Sequence, residues 1–235
     1  MLRLLASHRN PESYVAGSTP LNRTLTLDSC GYTVTWLRRH PGIQSAQVEL
    51  AGASTRLEWV ADSDFRFFPA MVDDLFGYVL HPVDLATNKA MAAAGRRELR
   101  DLVDLAAIHA TILPLGAVIW AAVEKAPGFT PEGLIEEIRR NSNYPLSEWR
   151  ELVTTEPLDP GAVATSLRAA LDEAEAFVLK MPTEKIGLLF LTGGQVVQPD
   201  PARLADYQTH AGKRRGHWPG SSEISTAMME HYRTE

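Results

Sequence analysis

The apolar residues of this chain change period at His81, and that change limits what it can fold into. Before it, β-branched and aromatic residues alternate in short runs; after it, apolar residues recur at three and four. Strands first and helices second imply an α+β fold, with a small N-terminal mixed β-sheet and a mainly helical C-terminal half. Tyr32–Leu37, Ala46–Leu50 and Thr55–Val60 are the expected strands, the last two joined as a hairpin through Gly52-Ala53.

The helical half is punctuated by its own capping chemistry. Pro82 suits a first helical turn, and the Ala-rich run Val83–Ala94 stops at Gly95. A second helix is expected over Glu98–Ala110, with Leu99, Leu102, Leu105, Ala106 and Ile108 on one stripe. Leu115–Lys125 is mostly apolar and reads as a buried helix. Thr130-Pro131 starts a fourth, and Asp159-Pro160 opens a fifth, running to about Lys180 with Val163, Leu167, Leu171, Ala174 and Val178 on one face. Lys185–Leu191 and Gln195–Gln198 flank Thr192-Gly193-Gly194 as a late hairpin. The expected divisions are 1–80, 81–198 and a polar tail, 199–235, open to flexibility.

Composition narrows the function classes. With 235 residues, 45% hydrophobic and 22% charged, the chain is globular in character. Its formal charge of -6 and pI near 5.7 exclude a generally basic nucleic-acid coat. One cysteine, Cys30, allows no internal disulfide, and no apolar run reaches the ~18 residues of a membrane span. The apolar stretch at Met1–Ala6 is short for a secretory signal, so a cytoplasmic protein is expected. The seven histidines show no metal-ligand spacing, and neither a Walker loop nor a hydrolase elbow occurs.

The chemistry-bearing stretch is Leu80–Leu105, LHPVDLATNKAMAAAGRRELRDLVDL. Lys89 interrupts an Ala-rich helix, Arg96, Arg97 and Arg100 surround the junction, and Asp101 and Asp104 share a helix face at i, i+3. Two helices folded back at Gly95 could bring Lys89 to that face. A set of solvated charges around a helix–turn–helix would have the same pattern.

Asp84-Leu85, Lys89, Arg96 or Arg97, and Arg100-Asp101-Leu102-Val103-Asp104-Leu105 follow the order of a known motif. The stretch resembles the AbiEii/AbiGii group of nucleotidyltransferase toxins in the polymerase-beta-like superfamily. That resemblance implies a sheet of nucleotidyltransferase type and transfer of a nucleoside monophosphate from an NTP to an RNA or protein hydroxyl. It also implies a Mg²⁺ requirement, tRNA as a candidate acceptor and an antitoxin protein as a candidate partner. Gly17, Ser18 and Thr19, within Val15–Asn22, look like the family's nucleotide-site opening, where small residues admit phosphate to backbone N–H groups. Lys89 would contact phosphate, Asp101 or Asp104 would orient it or act on the acceptor, and Glu58 stands where a third metal-side carboxylate belongs.

The sequence departs from that family at the paired acids. Two Mg²⁺ ions are normally held by Asp-x-Asp on a strand, with both side chains on one face. Asp28 lies at the matching distance, but Cys30 occupies its partner's place and no residues remain for the helix that should follow. Asp62-Ser63-Asp64 has the i, i+2 spacing in a turn-like setting, readable as metal ligand or as turn. Arg38-Arg39-His40 with Arg96-Arg97, and separately Lys213-Arg214-Arg215 before Trp218, are basic clusters suited to RNA or to solvent. The alternative reading is a nucleotidyltransferase-fold interaction module that has lost its metal-binding acids, and a third is a shortened version of an active parent.

Overall fold

The computed structural model describes residues 27–40, 43–60, 65–74, 77–126, 128–154 and 157–212. The chain divides into two compact units. One holds the described residues up to 60 with 69–74 and 77–80; the other holds 65–68 and 81–212.

In the first unit β1 (Thr33–His40), β2 (Ile43–Leu50) and β3 (Ala53–Val60) pair in sequence order. Every pairing among the described strands is antiparallel, where a mixed sheet was expected. Parallel neighbours need a long crossover, and only two residues, Ala51 and Gly52, separate β2 from β3. Ala51 and Gly52, with φ of 50° and 82°, form the β2–β3 turn, so Ala53 is already strand. Both central positions of such a turn need positive φ, which glycine takes freely and alanine does not. Alternation places Ala46 and Val48 inside. Leu37 is the extra residue of a bulge between Trp36 and Arg38, and it is 54% exposed. A further hairpin, β4 (Met71–Asp73) with β5 (Gly77–Val79), went unseen in the sequence because three residues are too few to display a period.

The second unit follows its caps closely. α1 (Pro82–Gly95) begins at His81, whose Nδ1 accepts the Val83 N–H at 3.2 Å. Gly95 is its last residue rather than the one beyond it, and Arg96 is extended. The Asn141 side-chain amide donates to the carbonyls of Ala93 and Ala94, meeting two acceptors the helix end leaves open. α2 (Leu99–Thr111) buries Leu99, Leu102, Leu105 and Ile108. α3 (Leu115–Ala122) is buried at every residue and runs into a 3₁₀ turn, Val123–Lys125.

α4 (Pro131–Arg140) is capped by the Thr130 hydroxyl, and α6 (Pro160–Val178) by the Asp159 carboxylate. Between them lies the short α5 (Leu146–Glu151), which buries no residue and therefore left no stripe to read. The apolar face of α6 is Leu167, Ala170, Leu171, Ala174, Phe177 and Val178, with Val163 only half-buried. No helix among the described residues is long and apolar enough to cross a membrane.

The late hairpin is β6 (Leu189–Thr192) and β7 (Gln195–Val197), turned at Gly193-Gly194. Lys185 instead ends a 3₁₀ turn, and its carbonyl accepts the Trp120 indole N–H at 2.7 Å. Residues 199–212, expected in the tail, are structured: the 3₁₀ segment Pro201–Asp206 is capped by Asp200, and β8 (Gln208–His210) pairs with β6. The Tyr207 ring meets Phe190 edge-on at 6.5 Å, so the segment has an apolar anchor despite its polar composition. Residues 213–235, with Lys213-Arg214-Arg215, lie outside the described residues.

Two substitutions test this packing. A Cβ on Gly116 would stand 2.6 Å from Gln198 Oε1 and 2.8 Å from Phe177 Cδ1, so Gly116→Ala should cost about 1–3 kcal/mol, read from the urea midpoint. Ala51→Asn should instead stabilise the sheet unit by about 0.5–1 kcal/mol, because asparagine tolerates the left-handed region.

Candidate functional site

Lys89 lies in the middle of α1, and Asp101 and Asp104 lie one turn apart near the start of α2. The extended residues after Gly95 reverse the chain, so the three side chains meet. Lys89 Nζ is 2.9 Å from Asp101 Oδ1 and 2.9 Å from Asp104 Oδ2. Arg96 clasps the same aspartate from the other side, its Nε 2.8 Å from Asp101 Oδ2 and a terminal nitrogen 3.3 Å from Oδ1. The Asp101 side chain is 0% exposed, while Lys89 retains 23%. Of the two arginines at the junction, Arg96 belongs to this cluster. Arg97 pairs with Glu148, donates to the Asn143 carbonyl and stacks over Tyr144 at 4.0 Å. Arg100 faces Glu98 at 4.0 Å.

Burial and charge oppose each other at each of these groups, and the balance differs. For Lys89, burial pulls the ammonium down, but Asp104 and then Asp101 more than offset it, and it titrates above the usual lysine range. For Asp101, burial pushes up, but the hydrogen bond from Arg96 and the charge of Lys89 prevail, holding the carboxyl below the usual range. For Asp104, burial prevails over Lys89, with Asp101 adding repulsion, and its carboxyl is raised. The cluster therefore presents a charged ammonium engaged by two carboxylates.

Asp84, on the same helix, has another role. Its carboxylate is fully buried and accepts the backbone N–H groups of Phe67 at 2.9 Å and Phe68 at 3.0 Å. Lys125, from the 3₁₀ turn after α3, lies 3.4 Å from Asp84 and donates to Asn88 Oδ1 at 2.6 Å. Sequence reasoning did not single out Lys125 or Asn88. The available signal was a Glu-Lys pair ending a helix that is otherwise entirely apolar.

The other expected site residues lie either outside the described residues or in the first unit. Gly17, Ser18 and Thr19 lie outside the described residues, as do Asp62 and Asp64. Asp28 is exposed on a helical turn before β1, closed by Cys30 N–H to Leu27 and Gly31 N–H to Asp28 carbonyls, rather than on a strand. Cys30 is exposed as well. Glu58, on β3 opposite Ser45, has its carboxylate paired with Arg56 two residues away on the same face. Arg38, Arg39 and His40 are exposed on β1, with Arg39 over the Trp36 ring. Among the described residues no group of three or more His, Cys, Asp or Glu side chains is placed to hold a metal ion. A carboxylate on an exposed turn and one already neutralised by arginine do not fit a two-ion clamp, which needs converging oxygens.

Removing Lys89 tests the cluster as structure. Lys89→Ala leaves the buried Asp101 with Arg96 alone and should cost about 1–3 kcal/mol, the range for stranding a buried polar group. Asp101 supplies stability above the usual carboxylate range and loses it as pH falls through its lowered value, so Asp101→Asn should flatten the acid limb of a urea-midpoint profile. No protein-family model, curated protein or solved structure matches this chain.

Proposed function

We propose that this chain is a nucleotidyltransferase-like protein of the AbiEii/AbiGii type, acting as the toxin of a toxin–antitoxin pair. The reaction moves a nucleoside monophosphate from an NTP to a hydroxyl of RNA, with tRNA the first candidate, or of protein. A hydroxyl oxygen bonds to the α-phosphorus, the bond to the bridging oxygen breaks, and pyrophosphate leaves. One observation carries the reading. Four charged residues of the stretch that resembles the family, Lys89, Arg96, Asp101 and Asp104, form one hydrogen-bonded cluster rather than a set of solvated charges.

Within that reading Lys89 contacts triphosphate oxygens as a point charge, and Asp101 and Asp104 hold it in place. The raised carboxyl of Asp104 is the more basic of the two and the one suited to take a proton from an acceptor hydroxyl. Mg²⁺ is the cofactor that the resemblance calls for. The steps assigned here rest on Lys89, Asp101 and Asp104 alone.

The test is transfer of labelled nucleotide from each of the four NTPs, with Mg²⁺ or Mn²⁺, onto total tRNA and onto the protein itself. Metal-dependent labelling should appear with one NTP and fall at least about 100-fold in Lys89→Ala, the scale of a lost charge contact to the reacting phosphate. Near-UV circular dichroism checks that the variant keeps its fold, and Asp104→Asn serves if it does not. No label from well-folded protein would overturn the transferase and leave the interaction module, for which the charge of Glu58 taken up by Arg56 is the favouring observation.

A further inference from the structure

Between β3 and β4 the chain enters the helical unit for four residues, Phe65–Phe68. Phe65 and Phe67 are buried, edge to face at 5.2 Å, in an apolar seat made with Val83, Ala121 and Leu189. Gly212 closes one side of this seat, where a Cβ would stand 2.1 Å from Phe65 Cζ. The backbone of this strap is held at three points. Asp84 accepts the Phe67 and Phe68 N–H groups, and the Phe67 carbonyl lies 2.7 Å from His210 Nε2, which therefore carries a hydrogen. The Phe68 ring sits between two imidazoles, with His81 at 4.2 Å and His210 stacked at 4.6 Å and 1°.

These two histidines work under different constraints. His81 caps α1 by accepting the Val83 N–H on Nδ1, which only the unprotonated nitrogen can do. His210 can donate to Phe67 in either charge state, but once charged it faces His81 across a single ring. The charged groups around the pair come from every element of the seat. Asp84 of α1 favours a charged His81; Lys125, from the turn after α3, offsets that carboxylate; Arg66 of the strap donates to the Phe65 carbonyl. β6 and β7 carry no titratable side chain.

We infer that residues 65–68 form an acid-released latch, seated while His81 is neutral and let go when His81 takes up a proton. Burial holds His81 below the usual imidazole range, His210 pushes the same way, and Asp84 only partly counters them. The sign follows. The seated strap prefers neutral His81, so its stability is full above about pH 6.5 and is lost as pH falls from there through the lowered value. Release uncovers the seat of Phe65 and Phe67. None of this depends on the nucleotide reading.

Amide hydrogen exchange by NMR on the full chain tests it, from about pH 7.5 to about pH 5.5, with each rate divided by its intrinsic rate at that pH. Protection of the Phe67 and Phe68 amides should fall at least about tenfold, the equivalent of one pKa unit, while Leu105 and Ile119 keep theirs. In His81→Asn with His210→Gln, which keeps a capping acceptor and a donor that do not titrate, the profile should be flat. The latch is refuted by a flat profile in the natural chain, by a fall that persists in the double variant, or by loss in step at Leu105 and Ile119. If the double variant does not fold, imidazole titration in the natural chain decides. A His81 midpoint below that of a model peptide, coincident with the loss of protection, supports the latch, and one at or above it overturns it.

Discussion

A carboxylate taken out of water must have its charge met on the spot, and α1 and α2 each carry one that is fully buried. Asp84 is met by two strap amides and the Lys125 ammonium; Asp101 is met by Lys89 and Arg96. Much of the helical unit depends on these two solutions. The inner face of α1 is Ala86, Ala90, Ala93 and Ala94, small side chains that let neighbours come close without fixing their register. Apolar packing has no direction, whereas a lysine held by two carboxylates one turn apart fits a single register of α1 against α2.

Legibility from sequence tracked the length over which a signal could repeat. α6 shows five turns of a stripe and a two-residue cap, and it was readable to within two residues at its end. α1 was readable from Pro82 and Gly95, although its end is closed by Asn141, a partner forty-six residues beyond Gly95 that no local pattern announces. Among the elements that went unread are β4, β5, β8 and α5. Three strands of three residues have no period to display, and a helix with no buried residue has no stripe. Residues 199–212 looked like a tail because their density of apolar residues is low, but Tyr207 and the ladder of β8 with β6 suffice to order them.

The site divides in the same way. Asp101 and Asp104 were legible because i, i+3 on a helix is geometry, and Lys89 because a charge inside an alanine run has to go somewhere. Whether Arg96 or Arg97 joins them depends on the direction taken by one extended residue, which composition does not encode. The strap was invisible. Its hydrogen bonds to Asp84 span sixteen and seventeen residues and that to His210 spans one hundred and forty-three, and every side chain involved has an ordinary local explanation. His81, for one, caps α1 from the residue just before it; that it also packs on Phe68 is a tertiary fact.

Charge balance says what kind of phosphate contact the Lys89 cluster could make. Two cations and two carboxylates sum to zero, so the cluster exerts little pull on an anion at a distance. Its advantage is placement. An ammonium already pinned at 2.9 Å by each of two carboxylates loses little side-chain freedom when a third partner arrives, and those carboxylates keep it charged. Lys125, which reaches α1 from the turn after α3, shows the contrast. It is 7% exposed and its ammonium is engaged by Asp84 and Asn88, so its charge serves the interior. Lys89 is positioned by the protein and its side chain keeps 23% exposure. Affinity for a triphosphate would have to come from groups elsewhere, and the cluster would decide where the phosphate sits.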